Sequence, residues 1–281
     1  MAVIPLPYMR AMLSGFQALP FNLAPTLPRM KTLAASPQLH APRVASYTIR
    51  LARDSADIEA AQRLRFEVFN LELNEGLDAA YLNGLDADRF DACCDHLLVE
   101  EARTGAVVGT YRLQTGQLAA AHHGYYSAQE FDFTPFEAIR CETVELGRAC
   151  VHKDHRKLNV LNLLWRGIAR YATDRRARYL IGCSSLTSQD AATGLAAYEA
   201  LQAEHLVEER FRTQALGDYR IDGISPASDR PQVPKLLRAY LSLGAKICGP
   251  PALDREFKTI DFLTLLDLRT LPEAVRNHFL D

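Results

Sequence analysis

The pattern of apolar and polar residues changes near residue 46 of the chain. Alternation over residues 47–52 predicts a strand, and apolar positions at helical spacing over residues 55–68 predict a helix. Two further alternating runs, residues 97–101 and 107–113, flank a short turn and indicate a β-hairpin. We therefore expect a folded domain over residues 46–281.

The second half of the chain alternates predicted strands with predicted helices. The expected strands are residues 143–151, 179–183, 245–248 and 260–266, and the expected helices are 157–173, 189–205 and 234–243. Hairpins come early and crossover helices come late, an order that fits neither a plain Rossmann sheet nor a sandwich. The pattern predicts an α/β (α+β) domain in which a mixed sheet is flanked by helices.

The first 45 residues have a different composition. They hold seven of the 14 prolines and show little periodicity, which predicts a flexible tail over residues 1–45. In a second interpretation the tail touches a membrane surface through Tyr8, Met12, Leu13, Phe16 and Leu19. The sequence shows neither a secretion signal nor a membrane-spanning run. We expect a cytoplasmic protein, with peripheral contact to the inner membrane as the alternative.

Charge and cysteine usage narrow the range of functions. The 281 residues are 48% apolar, enough for one full core, and carry a formal net charge of -2. This near-neutral charge produces no overall positive electrostatic field that would attract nucleic acid. The six cysteines fit neither a disulfide framework nor a CxxC metal site, and the histidine pairs lack further ligands at metal-binding spacing. We expect reduced thiols and no metal.

Seven short segments carry a resemblance to a known family. They are residues 64–69, 95–99, 109–113, 126–132, 145–152, 164–168 and 251–257. Together and in this order they resemble the GNAT-like ornithine and N-acyl amino acid synthases, whose members often carry the label hemolysin. More distantly, they resemble the acyl-homoserine-lactone synthases. The tail lies outside this resemblance.

The resemblance implies the GNAT acyl-CoA N-acyltransferase fold, with a mostly antiparallel sheet. It also implies an acyl thioester donor, carried on the phosphopantetheine of acyl carrier protein or on coenzyme A, and no permanently bound cofactor. The favoured reaction is transfer of a 3-hydroxyacyl chain to the α-amine of ornithine, the first step to ornithine lipids. Glycine or tyrosine as acceptor is an alternative, and a non-enzymatic membrane-active protein is a remote one.

Three residues are candidates for the chemistry of transfer, which requires a proton acceptor for the amine and a donor for the carbonyl oxygen. In the resembling family a carboxylate in the Glu-x-x-Arg position lies beside the acceptor, which implies this role for Glu145. Arg148 would face away from Glu145 in a regular strand, so we expect a β-bulge, for which Gly147 is well suited. Tyr198 is the candidate for protonating the leaving thiolate.

Other charged residues are candidates for binding the acceptor. Arg65 and Arg112, like Arg148, offer a guanidinium group for its carboxylate. A structural salt bridge is the alternative role for each arginine. A second ammonium on the acceptor would need a counter-charge. The candidates for that charge are Asp91, Asp95 and Asp254.

The loop over residues 152–161 is the candidate donor site, because a helix N-terminus can bind phosphate. It lacks glycine, unlike the pyrophosphate loop of ordinary acetyltransferases. The predicted donor-binding residues are Val151, Arg156, Lys157, Asn159 and Trp165. Basic residues here would suit the acidic surface of acyl carrier protein, the expected partner, and a solvated basic helix face is the alternative.

Overall fold

The computed structural model describes residues 47–229 and 231–279, and these form a sheet of eight strands with helices packed on it. The strands are β1 (Tyr47–Leu51), β2 (Asp95–Glu101), β3 (Val107–Thr115), β4 (Thr143–Val151), β5 (Tyr179–Leu186), β6 (Lys246–Ile247), β7 (Ala252–Asp254) and β8 (Thr259–Asp267). The α-helices are α1 (Ser55–Phe66), α2 (Gly116–Ala121), α3 (Leu158–Asp174), α4 (Ala191–His205), α5 (Lys235–Ser242) and α6 (Glu273–Phe279). A π-helical turn, Glu67–Glu72, extends α1, and a 3₁₀ turn covers Tyr126–Gln129.

The strands lie in the order β1-β2-β3-β4-β5-β8-β6, and β7 also pairs with β8. Strands β4 and β5 are parallel, and every other neighbouring pair is antiparallel. The helix α3 connects β4 to β5, as a parallel pair requires a crossover. This topology confirms the predicted mixed, mostly antiparallel sheet with flanking helices.

Strands β4 and β5 separate part of the way along their length. They pair only over Thr143–Glu145 and Tyr179–Ile181, although both strands continue beyond these residues. At the point of separation Gly182 lies so close to β4 that a Cβ on it would be 2.2 Å from the carbonyl oxygen of Leu146. The gap beyond this point leaves one edge of β4 without a strand partner among the described residues.

The two faces of the sheet are covered by different helices. Helix α3 packs on the face where Tyr111 of β3 meets Leu164, and each such buried side chain contributes about 1.5–3 kcal/mol to stability. Arg112 points to the opposite face, because side chains alternate along a strand. There it shares the carboxylate of Asp91 with Arg65 of α1. The α1 face therefore buries a charged network in addition to an apolar cluster that includes Leu64 and Val68.

The structure also differs from the sequence predictions. Strand β5 runs to Leu186, past the predicted end at residue 183, because pairing with β8 continues through its polar serines. The helices α2 and α6 and the three-residue strand β7 were not predicted. The predicted tail over residues 1–45 lies outside the described residues. No helix within residues 47–229 and 231–279 is long and apolar enough to span a membrane.

Candidate functional site

A cleft opens where β4 and β5 separate. Its charged part, which we call the polar cavity, encloses about 780 Å³ of empty space including its open mouth. The charged residues that line it are Glu75, Arg112, Glu145, Arg148, Asp254 and Asp261.

A second space, the apolar cavity, continues the cleft between β4 and β5 and encloses about 510 Å³. The two cavities share the stretch of β4 over residues 146–149 and the β5 residues Cys183 and Ser184. The lining particular to the apolar cavity includes Tyr111, Trp165, Leu180, Tyr240, Ala245 and Leu266. The cleft thus has a charged arm and an apolar arm that meet at β4.

A β-bulge lies at this junction. The register between β3 and β4 shifts so that Arg148 and Ala149 together oppose the single residue Tyr111. The extra residue turns Arg148 to the same side as Glu145, and both line the polar cavity. The predicted bulge is confirmed, but Arg148, with φ of 48°, and not Gly147, takes the left-handed conformation. That conformation costs a non-glycine residue roughly 1–2 kcal/mol.

Glu145 is buried and fixes the turn that forms one wall of the polar cavity. Its two carboxylate oxygens accept the backbone N–H groups of Tyr126 at 2.7 Å and Ser127 at 2.8 Å. Burial raises the pKa of Glu145, although the hydrogen bonds from Ser127 and Tyr126 act in the opposite direction. A role as proton acceptor stays a prediction, and the position of Glu145 in the cavity is compatible with it.

Arg148 is held by two carboxylates and two aromatic rings. Its guanidinium pairs with Asp86 at 3.3 Å and with Asp88 at 3.1 Å. Its guanidinium carbon lies 4.3 Å from the ring centroid of Phe257 and 4.8 Å from that of Tyr126. The two carboxylates neutralise the charge of the guanidinium. Together with the ring contacts they offset the cost of the left-handed backbone conformation at Arg148.

The other two predicted arginines occupy different positions. Arg112 lines the polar cavity, and its Nη1 atom lies 2.6 Å from Asp88 and 3.0 Å from Asp91. Arg65 is fully buried, does not line the cavity, and pairs with Asp86 and Asp91. Direct contact between Arg65 and an acceptor stays a prediction. Its observed role is to hold the carboxylates that also bind the two cavity arginines.

The predicted counter-charges also occupy different positions relative to the polar cavity. Asp254 is buried in the wall of the polar cavity, where its Oδ1 atom accepts the backbone N–H groups of Glu256 and Phe257. Asp95 lies outside the cavity, where it accepts a hydrogen bond from Tyr171 and pairs with Arg175. Asp95 is thus bound to Tyr171 of α3 and to Arg175 at the C-terminal end of that helix.

Tyr198 lines neither cavity and packs beside a cluster of buried apolar residues that includes Leu186 and Leu201. Two other tyrosines lie in the apolar cavity, and their hydroxyl groups, Tyr111 Oη and Tyr240 Oη, are 2.5 Å apart. Burial raises the pKa of Tyr111 to about 12, and it raises that of Tyr240 well above its ordinary value. Both phenols therefore carry their protons at neutral pH.

The predicted donor-binding residues cluster around the N-terminus of α3, but one is already engaged. Arg156 donates to both carboxylate oxygens of Glu72 at 2.6 Å and to the carbonyl of Val151 at 3.1 Å. Lys157 is exposed immediately before the helix, and Asn159 is exposed in its first turn. Trp165 lines the apolar cavity, edge-on to the ring of Tyr240. Their binding of a donor stays a prediction.

Three functional candidates were missed at the level of sequence. Gln114 lines the polar cavity, is 1% exposed, and has no hydrogen-bond partner for either side-chain amide atom among the described residues. Asp261 lines the cavity and Glu130 lies behind it. One signal in the sequence could have indicated Asp261: it is a single acidic residue inside the apolar run of β8.

The side chains of Glu130, Cys183 and Asp261 could together hold a metal ion, since their ligand atoms lie within 4.8 Å of one another. This group was not foreseen, and the expected absence of a metal stays a prediction. Burial and the adjacent carboxyl group of Glu130 raise the pKa of the Cys183 thiol well above its ordinary value. The thiol is therefore protonated, which makes it a poor nucleophile.

Known proteins resemble the chain both in sequence and in fold. The model of the acetyltransferase (GNAT) domain family matches residues 64–166. An L-ornithine N(alpha)-acyltransferase of Rhodobacter capsulatus is 36% identical over 245 residues, which cover 83% of this chain and 95% of that protein. Another, of Agrobacterium fabrum, is 32% identical over 244 residues, with 82% and 83% covered. A CoA-dependent acyl-homoserine lactone synthase, BjaI, solved with SAM and isopentyl-CoA, shares the fold at a TM-score of 0.50 and 15% identity, with 83% and 88% covered.

Proposed function

The chain belongs to the family of L-ornithine N(alpha)-acyltransferases, and we propose that it transfers a 3-hydroxy long-chain acyl group from a thioester to the α-amine of L-ornithine. The product would be lyso-ornithine lipid, the first intermediate of ornithine lipid synthesis. One observation carries the proposal: a charged cavity and an apolar cavity meet at the bulge of β4. An amino acid suits the first, an acyl chain suits the second, and their reacting atoms would meet at the junction.

The polar cavity offers complementary groups to the acceptor. Arg112 and Gln114 can donate hydrogen bonds to the α-carboxylate, and Gln114 has no competing partner among the described residues. Glu145 lies opposite Gln114 in the pairing of β3 with β4 and can accept a hydrogen bond from the α-ammonium. Loss of the ammonium proton, to Glu145 or to water, would give the neutral amine that attacks the thioester.

The apolar cavity offers what the donor requires. Each buried methylene of the acyl chain would contribute about 0.8 kcal/mol. Backbone N–H groups on the edge of β4 that faces the gap could stabilise the oxygen of the tetrahedral intermediate. Because the Cys183 thiol is protonated, we propose direct attack by the amine with no acyl-enzyme. The hydroxyl of Tyr240, more than that of Tyr198, could donate to the departing thiolate.

We propose acyl carrier protein as the source of the thioester. Lys153 and Lys157 are exposed where β4 leads into α3, and Trp165 of that helix lines the apolar cavity. Such a basic surface would suit an acidic carrier. Coenzyme A would present the same phosphopantetheine arm without the carrier surface. Mutation of these lysines should therefore affect the two donors unequally.

Purified protein tests this proposal when it is supplied with one 3-hydroxyacyl chain as either the carrier-protein or the coenzyme A thioester. We expect thiol release that depends on L-ornithine, with a product whose mass is that of the amide and whose α-amine is blocked. Faster acylation of glycine or tyrosine would contradict the proposed acceptor. Absence of thiol release with every amino acid would contradict the proposed reaction.

A further inference from the structure

The cations that line the polar cavity are already matched by carboxylates outside its lining. Arg112 pairs with Asp88 and Asp91, and Arg148 pairs with Asp86 and Asp88. These shared pairs leave little positive charge for the other acidic residues at and behind the cavity wall.

Those acidic residues form a group that we call the acidic cluster, which consists of Glu130, Asp254 and Asp261. They are 1%, 3% and 4% exposed, respectively. No lysine, arginine or histidine among residues 47–229 and 231–279 lies within ion-pairing distance of them. Three buried carboxyl groups without a cation are unusual, because buried charges in proteins are paired.

Two oxygen atoms of the cluster also lack hydrogen-bond donors. Oε1 of Glu130 and Oδ1 of Asp261 are buried and receive no hydrogen bond from a described protein group. Desolvation, reinforced by the charges of Asp261 and Asp254, raises the pKa of Glu130 well above its ordinary value. A shared proton can satisfy the two groups in the empty cavity, and a ligand that brings several N–H donors can replace it.

The cluster is adjacent to the residues that we assign to the acceptor's α-amine. Ser127 donates its backbone N–H to Glu145 at 2.8 Å, and its hydroxyl oxygen is 3.3 Å from the sulfur of Cys183. That sulfur lies 3.8 Å from Oε2 of Glu130. A ligand whose amine contacts Glu145 therefore has the cluster within reach of its side chain.

Gln114 supplies an independent indication of a ligand. Both amide atoms of the buried Gln114 have no partner among the described residues, although Gln114 lines the cavity beside Arg112. The cavity thus has unsatisfied groups suited to a carboxylate, in Gln114, and to a cation, in Asp261. This polarity matches an amino acid that bears a second positive charge.

We infer that Asp254 and Asp261, with Glu130 behind them, bind the side-chain ammonium of a basic amino-acid acceptor and so determine acceptor specificity. The inference rests on the proposed function and names the residues that distinguish ornithine from neutral amino acids. An acceptor without the ammonium would leave the buried carboxyl groups without a hydrogen-bond partner. A site built for a polar group strongly rejects a substrate that lacks it, because the groups of the site then stay unpaired. A metal ion held by Glu130, Cys183 and Asp261 is the competing occupant, and chelation distinguishes it from an ammonium group.

The test compares L-ornithine with L-norvaline, which has the same carbon chain and no terminal ammonium, in the full-length protein with one acyl donor. We measure kcat and KM for wild type, Asp261→Asn, Glu130→Gln and the control Glu256→Gln, whose carboxylate is exposed near Asp254. We expect the ornithine-to-norvaline ratio of kcat/KM to fall ~30-fold or more in the two cluster variants, mainly through KM for ornithine, since a buried charge loses its partner. The control should keep the wild-type ratio.

An unchanged ratio in both cluster variants, or an equal loss with both acceptors, would overturn the inference. So would loss of the ornithine preference on chelation with EDTA and its return on addition of Mg²⁺, Mn²⁺ or Zn²⁺. If wild type acylates neither acceptor, the proposed reaction fails, and calorimetric titration decides the inference separately. Ornithine that binds to wild type but not to Asp261→Asn supports it, and equal binding to both contradicts it.

Discussion

Glu145 and Arg148 both hold Tyr126 in place. Glu145 accepts the backbone N–H of Tyr126 at 2.7 Å, and Arg148 lies over its ring, 4.8 Å from the centroid. Two residues three apart on one strand contact the same residue here because the bulge turns them to one face. The wall of the polar cavity therefore depends on both side chains.

We predict that Glu145→Gln lowers kcat by at least ~100-fold, the scale of general-base catalysis. The amide would also lose one of the two N–H contacts to the Tyr126–Ser127 turn, at a cost of about 1–3 kcal/mol in stability. Initial rates and thermal melting should be compared with those of Glu142→Gln, whose carboxylate is exposed near the start of β4. Turnover close to that of this control would remove Glu145 from the chemistry.

The two tyrosine candidates for the leaving group can be separated by matched substitutions. We predict that Tyr240→Phe lowers kcat by ~10-fold or more, because it removes the hydroxyl from the apolar cavity. Tyr198→Phe should leave kcat unchanged, because Tyr198 lines neither cavity. Single-turnover rates with one donor measure the difference, and a larger effect at Tyr198 would reverse the assignment.

Asp261→Asn should stabilise the free protein in a pH-dependent way. Burial and the charge of Asp254 raise the pKa of Asp261 to about 6, above the value of about 3.9 in an unfolded chain. The folded state therefore holds the proton more tightly, and stability is lost as pH rises through 6. The groups that face Asp261 are Glu130, Cys183, Ser185, Asp254 and Thr259.

We expect Asp261→Asn to gain on the order of 2 kcal/mol of unfolding free energy at pH 8 and nothing at pH 4. This corresponds to roughly 5 °C in Tm for a domain of this size. Thermal melts of the ligand-free protein at both pH values measure it. A loss of stability at pH 8 would indicate that Asp261 has a cationic partner, contrary to the structure described for residues 47–229 and 231–279.

Reversal of charge at the start of α3 should weaken docking of a carrier protein. We predict that Lys153→Glu with Lys157→Glu raises Kd by ~10-fold or more at low salt, and that the difference shrinks as salt increases. Arg63→Glu, at an exposed site on α1, is the matched control. Surface plasmon resonance gives the affinities. Equal effects of both changes would place the carrier elsewhere.

Much of the fold could be predicted from periodicity. The strand over Thr143–Val151 was predicted with its observed ends, and the helix Leu158–Asp174 within one residue at each end, because their apolar residues recur regularly. The helix α1 begins at residue 55, as predicted, and Asp54 is its N-cap. Strand β7 was not predicted, because three residues are too few to show the alternation that indicates a strand.

The site was only partly accessible from the sequence. Four of the predicted site residues, Glu145, Arg148, Arg112 and Asp254, do line one cavity. Contacts between residues far apart in the sequence determine the other features of the site, and the local sequence pattern does not reveal such contacts. They engage Arg156 with a glutamate 84 positions away and bring Glu130 beside Asp261.

The most direct test of the account is mass spectrometry of lipids from a bacterial host that makes no amino-acid lipids, with and without expression of this chain. The account predicts a new N-acyl ornithine in the expressing cells. It also predicts that this lipid is absent with Glu145→Gln and much reduced with Asp261→Asn. An unchanged lipid profile, or a new lipid built on a neutral amino acid, would contradict it.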